Sequence, residues 1–397
     1  HWDIVPGGKY YVTRNNTSIL AFKVGTKLDN YSFNIVTSHT DSPTFKVKEN
    51  AEIEVKNKYT QLNTEGYGGM LCATWLDRPL SIAGRVLVSE GNSIVTKLLN
   101  IDRDLLMIPN VAIHMNRAAN DGFKYNLQVD MLPLLSAGDD RQKDFKQIIA
   151  DELGVKKEDI LGHDLYLYNR MAPSIWGANE EFISAGHLDD LQCGFASLKA
   201  LLAGYNDESI DIMACFDNEE VGSGTKQGAD STLLRDTLVR INSALGKTEE
   251  DYHRALASSF MLSSDNAHAV HPNHPEHTDA TNCTYMNEGV VVKSHAGQKY
   301  TSDGVSMAVV KALASGADVP LQYFANRSDK AGGSTLGNIA MAQASMNAVD
   351  IGLPQLAMHS SYETAGIKDT YYAITLMKAL FDSHIQETST HSLEIKS

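Results

Sequence analysis

Between about residues 50 and 135 the chain carries no helical period. Segments such as Ala51-Glu52-Ile53-Glu54-Val55, Gly84-Arg85-Val86-Leu87-Val88 and Ser93-Ile94-Val95-Thr96-Lys97-Leu98-Leu99 are short and separated by turn residues, the pattern of an all-β module. The flanking sequence reads differently. Residues 18–24 and 31–37 are strand-like runs, 210–216 is a strand of the fully buried type, and helical periods run through 188–202, 230–245, 302–313, 338–349 and 370–385. Strands alternating with helices predict an α/β fold, a three-layer αβα arrangement with helices on both faces of one sheet. A mainly β domain over 50–165, with one short helix at 145–153 stopped by Gly154, is therefore expected to interrupt an α/β domain made of 1–49 and 166–397.

With 397 residues and 43% hydrophobic content, the chain can bury one large core and one smaller one. A formal charge of −15, from 49 acidic and 34 basic residues, argues against nucleic acid or an anionic membrane as a general partner. An anionic small substrate stays compatible, because a lysine and bound cations can reverse the potential inside a cleft. Cys72, Cys193, Cys215 and Cys283 form neither a CxxC pair nor a disulfide framework, so free thiols in a reducing, cytoplasmic setting are expected. No run of 18 apolar residues occurs and the first residues lack a signal-peptide pattern. The start without Met leaves room for an upstream segment carrying targeting information.

The residues able to do chemistry cluster at strand ends, where loops are held by a rigid sheet. His39 and Asp41 follow the strand at 31–37. In extended backbone they share a face, so the carboxylate could orient an imidazole that binds a metal. Asp189 and Asp190 precede an apolar helix; one could cap it, and the other is then spare. Asp217-Asn218-Glu219-Glu220 crowds the end of a buried strand before the turn Val221-Gly222-Ser223-Gly224, and negative charge so placed is costly unless cations compensate it. Asp265 and His359 each end a further strand-like run. His271, His274 and His277 also lie close together, but Pro272 and Pro275 break any helix between them, and they read as a loop. Two cations, a bridging carboxylate, terminal ligands and a spare carboxylate to deprotonate water are the parts of a two-metal hydrolase.

Over essentially its whole length the sequence resembles the aspartyl aminopeptidases, peptidase family M18, which are cocatalytic two-zinc exopeptidases. The matching motifs are Ser38-His39-Thr40-Asp41-Ser42-Pro43, Tyr67-Gly68-Gly69 with Thr74-Trp75-Leu76-Asp77-Arg78, Ile108-Pro109-Asn110-Val111-Ala112-Ile113-His114, Leu188-Asp189-Asp190, Asp217-Asn218-Glu219-Glu220-Val221-Gly222-Ser223, Asp265-Asn266-Ala267-His268-Ala269-Val270-His271-Pro272 and Pro354-Gln355-Leu356-Ala357-Met358-His359-Ser360. The resemblance implies that His39 and Asp265 hold one zinc and Glu220 and His359 the other, with Asp189 bridging them. It makes Glu219 the general base, Asp41 the carboxylate behind His39, and His268, Lys293 and Tyr300 substrate contacts. It also implies that the inserted domain mediates dimerisation, that His114 reaches a neighbouring subunit's active site, and that dimers build a tetrahedral dodecamer. The region before the first strand is shorter than is usual in the family.

The expected activity is removal of the N-terminal residue of peptides, with a preference for Asp or Glu selected by a buried cation. Lys293 is the candidate, with Lys299 and Arg327-Ser328-Asp329-Lys330 as alternatives. The expected cofactor is two Zn2+ per chain, although oxygen and nitrogen ligands also suit Co2+ and Mn2+. A deacylase or broad-specificity aminopeptidase on the same core is the nearest alternative. A cargo protein without turnover is the alternative of a different class, and it would be expected to lack Glu219 or a ligand.

Overall fold

The computed structural model describes residues 2–138, 144–389 and 392–396. By packing, the chain divides into one unit of residues 1–42, 174–358 and 363–397 and a second of 43–173 with 359–362.

The first unit is built on an eight-stranded sheet in the order Lys9–Arg14, Ser18–Val24, Ser209–Phe216, Ser32–His39, Phe260–Ser264, Asn347–Gly352, Val290–Lys293, Leu321–Phe324. Its four middle strands, Ser209–Phe216 to Asn347–Gly352, are mutually parallel, so their carboxyl ends adjoin along one edge. Alternate side chains of each strand feed opposite faces. Phe33, Ile35, Ile210, Ile212, Ala214 and Phe216 pack with Leu234, Leu238 and Ile241 of helix Leu233–Ala244 and with Leu336 and Ala340 of helix Leu336–Gln343. On the other face Val36, Met213 and Cys215 pack with helices Leu188–Ala203, Gly304–Gly316 and Asp369–Phe381. Because both faces are covered, strand Ser32–His39 is buried at every residue. The unit is thus an αβα sandwich, and a smaller five-stranded sheet accompanies it.

Two expectations need correction here. The helix expected over 338–349 ends at Gln343, and Asn347–Gly352 is a central strand. The helix expected over 370–385 stops at Phe381, and His384–Ser389 is a strand. In both places one apolar run suits a helix and a buried strand equally, and pairing with a distant strand decides.

The second unit is a six-stranded antiparallel sheet, Ser93–Asn100, Leu80–Glu90, Ile160–Asn169, Thr44–Val55, Tyr59–Tyr67, Leu134–Ala137, with helix Phe145–Leu153 on its core. Asp144 caps that helix by accepting from Gln147 N (2.7 Å), and Gly154 ends it in the left-handed region. The packing boundaries fall at 43 and 173 rather than 50 and 165, because strands Thr44–Val55 and Ile160–Asn169 run across the expected ones.

Candidate functional site

His39 is the last residue of its strand, opposite Phe216 in the register of the neighbouring parallel strand. The chain beyond Phe216 must therefore turn beside it. Asn218, at φ 64°, makes that turn; its side-chain oxygen accepts from Thr225 Oγ1 and Gln227 Nε2, both at 2.8 Å. Asn tolerates the left-handed region better than most residues, and Gly222, at φ 94°, closes the short turn Glu219–Val221 where a side chain would be strained. The turn is pinned from inside: Asp41 accepts the backbone N–H of Glu219 through Oδ1 and that of Glu220 through Oδ2, each at 3.1 Å. One ligand atom from each of His39, Glu219 and Glu220 then falls within 4.8 Å of the others.

Two aspartates stand at the irregular start of the Leu188–Ala203 helix. Both have non-helical backbone, and the regular helix starts after them. The Asp189 N–H donates to the buried Glu363 (3.0 Å) and its carbonyl accepts from Ser42 Oγ (2.8 Å). Asp190 Oδ2 accepts the backbone N–H of His39 (3.1 Å) and so anchors the strand end. Asp265 follows strand Phe260–Ser264, the other parallel neighbour of the His39 strand. His39, Asp189, Asp190 and Asp265 form a buried group whose ligand atoms lie within 4.8 Å of one another.

The spacing is compatible with metal ligation. His39 Nε2 is 3.4 Å from Asp189 Oδ1 and 3.7 Å from Asp265 Oδ1, long for hydrogen bonds. Ligands placed about 2.1 Å from a tetrahedral zinc ion stand about 3.4 Å apart. On its other edge the ring donates through Nδ1 to the Asp41 carbonyl oxygen (3.1 Å), with the Asp41 carboxylate at 3.4 Å, which leaves the lone pair on Nε2 toward the carboxylates. Asp41 thus lies behind His39, but its backbone oxygen makes the closer contact.

Burial would lower the His39 pKa, but the nearby carboxylates of Asp189, Asp190, Asp265 and Asp41 lift it well above the usual imidazole value. The same carboxylates also favour a proton on the ring, so a cation bound at Nε2 would have to displace it. Burial drives the Asp190 carboxyl well above the ordinary carboxylate range. Burial, then the charge of Asp265, with further contributions from Asp189 and Asp41, pushes Glu219 up to about 7. Three buried aspartates and two half-buried glutamates surround one imidazole, an excess of negative charge that divalent cations would neutralise. The residues present fit such ions.

Lys293 is a nearby buried cation. Its Nζ lies 3.6 Å from Asp265 Oδ2, donates to the Asn266 carbonyl (3.1 Å) and sits 5.5 Å from the Tyr300 ring centre. Burial opposes its charge, and Asp265, Tyr300 and Asp350 more than restore it, so its pKa is raised. Tyr300 is buried; His268 is exposed and lines a cavity of about 310 Å3 with Phe324, Arg327, Lys330 and Met358. Of the alternative cations, Lys299 donates to the carbonyls of Ala331 and Gly332, and Arg327 pairs with Asp329 at 2.9 Å.

His359 and His114 belong to the second unit. His359 donates from Nδ1 to the Gly69 carbonyl (2.9 Å). His114 is exposed in a segment where Val111, Ile113 and Met115 are also exposed.

The anchoring roles of three supporting residues were not visible in the sequence. Asp190, although inside a quoted motif, ties down His39; Glu363 holds the Asp189 backbone; Asn266 donates to the Leu188 carbonyl (3.1 Å) and to Gln355 Oε1 (2.9 Å). Glu363 carries no local signal, since its role is visible only once Asp189 lies beside it.

The family described as aminopeptidase I zinc metalloprotease (M18) matches residues 1–381. The chain is 47% identical over 387 residues to a probable M18 family aminopeptidase 2 of Clostridium novyi, covering 96% of this chain and 89% of that protein. It is 49% identical over 377 residues to the same-named protein of Clostridium acetobutylicum, covering 94% and 87%. Among solved structures, the cryo-EM structure of the Ape4 and Nbr1 complex superposes with TM-score 0.92 at 35% identity, covering 96% of this chain and 77% of that one. The S. cerevisiae mApe1 dodecamer superposes with TM-score 0.81 at 28% identity, covering 94% and 85%.

Proposed function

The chain belongs to the M18 family of aminopeptidase I zinc metalloproteases, and on that premise we propose that it is a two-zinc aminopeptidase that removes N-terminal Asp or Glu from peptides. The observation that carries the reading is the separation of His39 Nε2 from Asp189 and Asp265, 3.4 and 3.7 Å, in a buried and over-acidic group. In this reading His39 and Asp265 hold one ion, Glu220 and His359 a second, and Asp189 is shared. Zinc would supply Lewis acidity, lowering the pKa of water and polarising the scissile carbonyl.

The chain's own side chains do the rest. Glu219, pushed up to about 7, is tuned to take a proton from the attacking water and return it to the leaving amine near neutral pH. Asp41 keeps Glu219 and Glu220 in place through their backbone N–H groups, and it holds the His39 ring from behind. Lys293 supplies positive charge in an acidic protein, as selection of an acidic first residue requires. His268 and Tyr300 flank the substrate.

Self-association is part of the proposal. An exposed Val111, Ile113 and Met115 around His114 is an apolar run that contact with a second copy would cover, and His114 would then contribute to that copy's site. The S. cerevisiae mApe1 neighbour is a dodecamer, and the tetrahedral dodecamer is the assembly proposed here. No helix among the described residues is long and apolar enough to cross a membrane. A cytoplasmic setting fits the four free cysteines.

The test combines metal analysis, native mass and release of Asp, Glu, Leu and acetyl groups from short substrates. Two zinc ions per chain with Asp and Glu released well ahead of Leu is the expected result. Equal rates on Asp and Leu, or release of acetyl groups alone, would replace the reading with the broad-specificity or deacylase alternative. Lys293→Met should lower turnover of Glu-terminal peptides far more than of Leu-terminal ones, and equal losses would remove it as the selector.

A further inference from the structure

His271, His274 and His277 read in sequence as a proline-broken loop, yet the structure brings two of them together. Residues Pro275–His277 form a single 3-10 turn. His274 immediately precedes the turn and His277 ends it, and their rings stack at 5.2 Å and 17°. Glu276 reaches between them. Its Oε1 is 3.1 Å from His274 Nδ1 and 3.6 Å from His277 Nε2, and ligand atoms of the three residues lie within 4.8 Å of one another. These separations bracket the roughly 3.4 Å edge of a tetrahedral zinc site.

The turn is held independently of its side chains. The His274 N–H donates to the His271 carbonyl and the His277 N–H to the His274 carbonyl, at 3.0 and 3.1 Å. Pro272 and Pro275 limit the backbone, and Arg327 donates to the Glu276 carbonyl. Arg327 is itself paired with Asp329 at 2.9 Å, which offsets its repulsion of a nearby cation. His271 is outside the group, because its Nδ1 accepts from the Asn273 N–H (3.2 Å) and its ring stands 5.5 Å from that of His274.

We propose that His274, Glu276 and His277 form a surface site for one borderline transition-metal dication, Zn2+, Ni2+ or Cu2+, distinct from the buried His39 group. Two imidazoles and one carboxylate match the ligand preferences of these ions and disfavour Mg2+ and Ca2+, which seek all-oxygen shells. All three side chains are more than half exposed, so water can complete the coordination. The same loop lines the cavity beside His268 through His271 and His277, so a bound ion would stiffen that wall.

The test compares the full chain with His274→Ala/His277→Ala after dialysis against buffered Zn2+, and again against Ni2+. Wild type should retain one more ion per chain than the double variant with either metal, and the two proteins should melt at the same temperature in chelator. Glu276→Gln, which keeps both imidazoles but removes the anionic ligand, should weaken binding at this site. Equal metal content in wild type and the double variant would overturn the proposal, as would an equal difference when Mg2+ replaces Zn2+. Because the measurement is a difference between two proteins, the number of ions in the buried group does not enter it.

Discussion

Asp41 accepts both backbone N–H groups of the Glu219-Glu220 pair, at 3.1 Å each, from a position two residues beyond His39. One carboxylate therefore couples the end of one strand to the turn that follows its neighbour. Asp41→Asn presents an amide N–H2 to one of those donors, leaving it unmatched. Activity should fall about 10- to 100-fold and stability by about 1–2 kcal/mol, read from peptide hydrolysis and urea unfolding. Hydrolysis within twofold of wild type would remove Asp41 from any positioning role.

Lys293 and Asp265 form a buried pair at 3.6 Å. Breaking such a pair from one side costs about 3–5 kcal/mol because the remaining charge is left uncompensated. Lys293→Met should therefore melt well below wild type in chelator, while zinc bound at Asp265 should restore much of the difference. A melting difference unaffected by zinc would place Asp265 outside the metal site.

Gly352 closes the strand beside Asp265, and a Cβ there would stand 2.1 Å from the Asp265 carbonyl oxygen. The obstacle is backbone, so Gly352→Ala must move one strand end against the other, at a cost of about 1–3 kcal/mol or more. Tightly bound zinc should fall together with melting temperature. Full zinc retention would show that the strand end shifts without disturbing Asp265.

Burial pushes the Asp211 carboxyl up to about 8, with the Asn34 amide (3.2 Å) and the charge of Lys23 opposing the shift. The folded state thus holds a proton that the unfolded chain, with a carboxyl pKa near about 4, releases. This contribution to stability is complete below about pH 4 and is lost as pH rises toward about 8. Asp211→Asn keeps the acceptor but cannot ionise. Relative to wild type it should gain stability from pH 5 to pH 8.5, by no more than a few kcal/mol. A gap between the two proteins that stays constant over that range in urea unfolding would count against a buried, proton-retaining Asp211.

Part of each unit is legible from period alone: strands 18–24 and 210–216 of the αβα unit and the helix at 145–153 of the second unit need only local pattern and turn residues. The segment 338–349 shows the limit. Its apolar residues satisfy a helical period, yet Asn347–Gly352 pairs in parallel with Phe260–Ser264, a partner more than 80 residues away that no local window contains. Unit boundaries behave likewise, since strands Thr44–Val55 and Ile160–Asn169 carry the chain across the texture change without a break.

Taken alone, the chain's amino acids determined that its acids and imidazoles stand at the ends of apolar runs, because burial of those runs pushes ionisable groups to their termini. Which ends meet was decided only by tertiary structure. Parallel pairing of Ser32–His39 with both Ser209–Phe216 and Phe260–Ser264 sets His39 between the Glu219 turn and Asp265. Strand registry is a long-range property that follows from the closing of the whole sheet, so neither Asp190 anchoring His39 nor Glu363 anchoring Asp189 has a counterpart in local pattern.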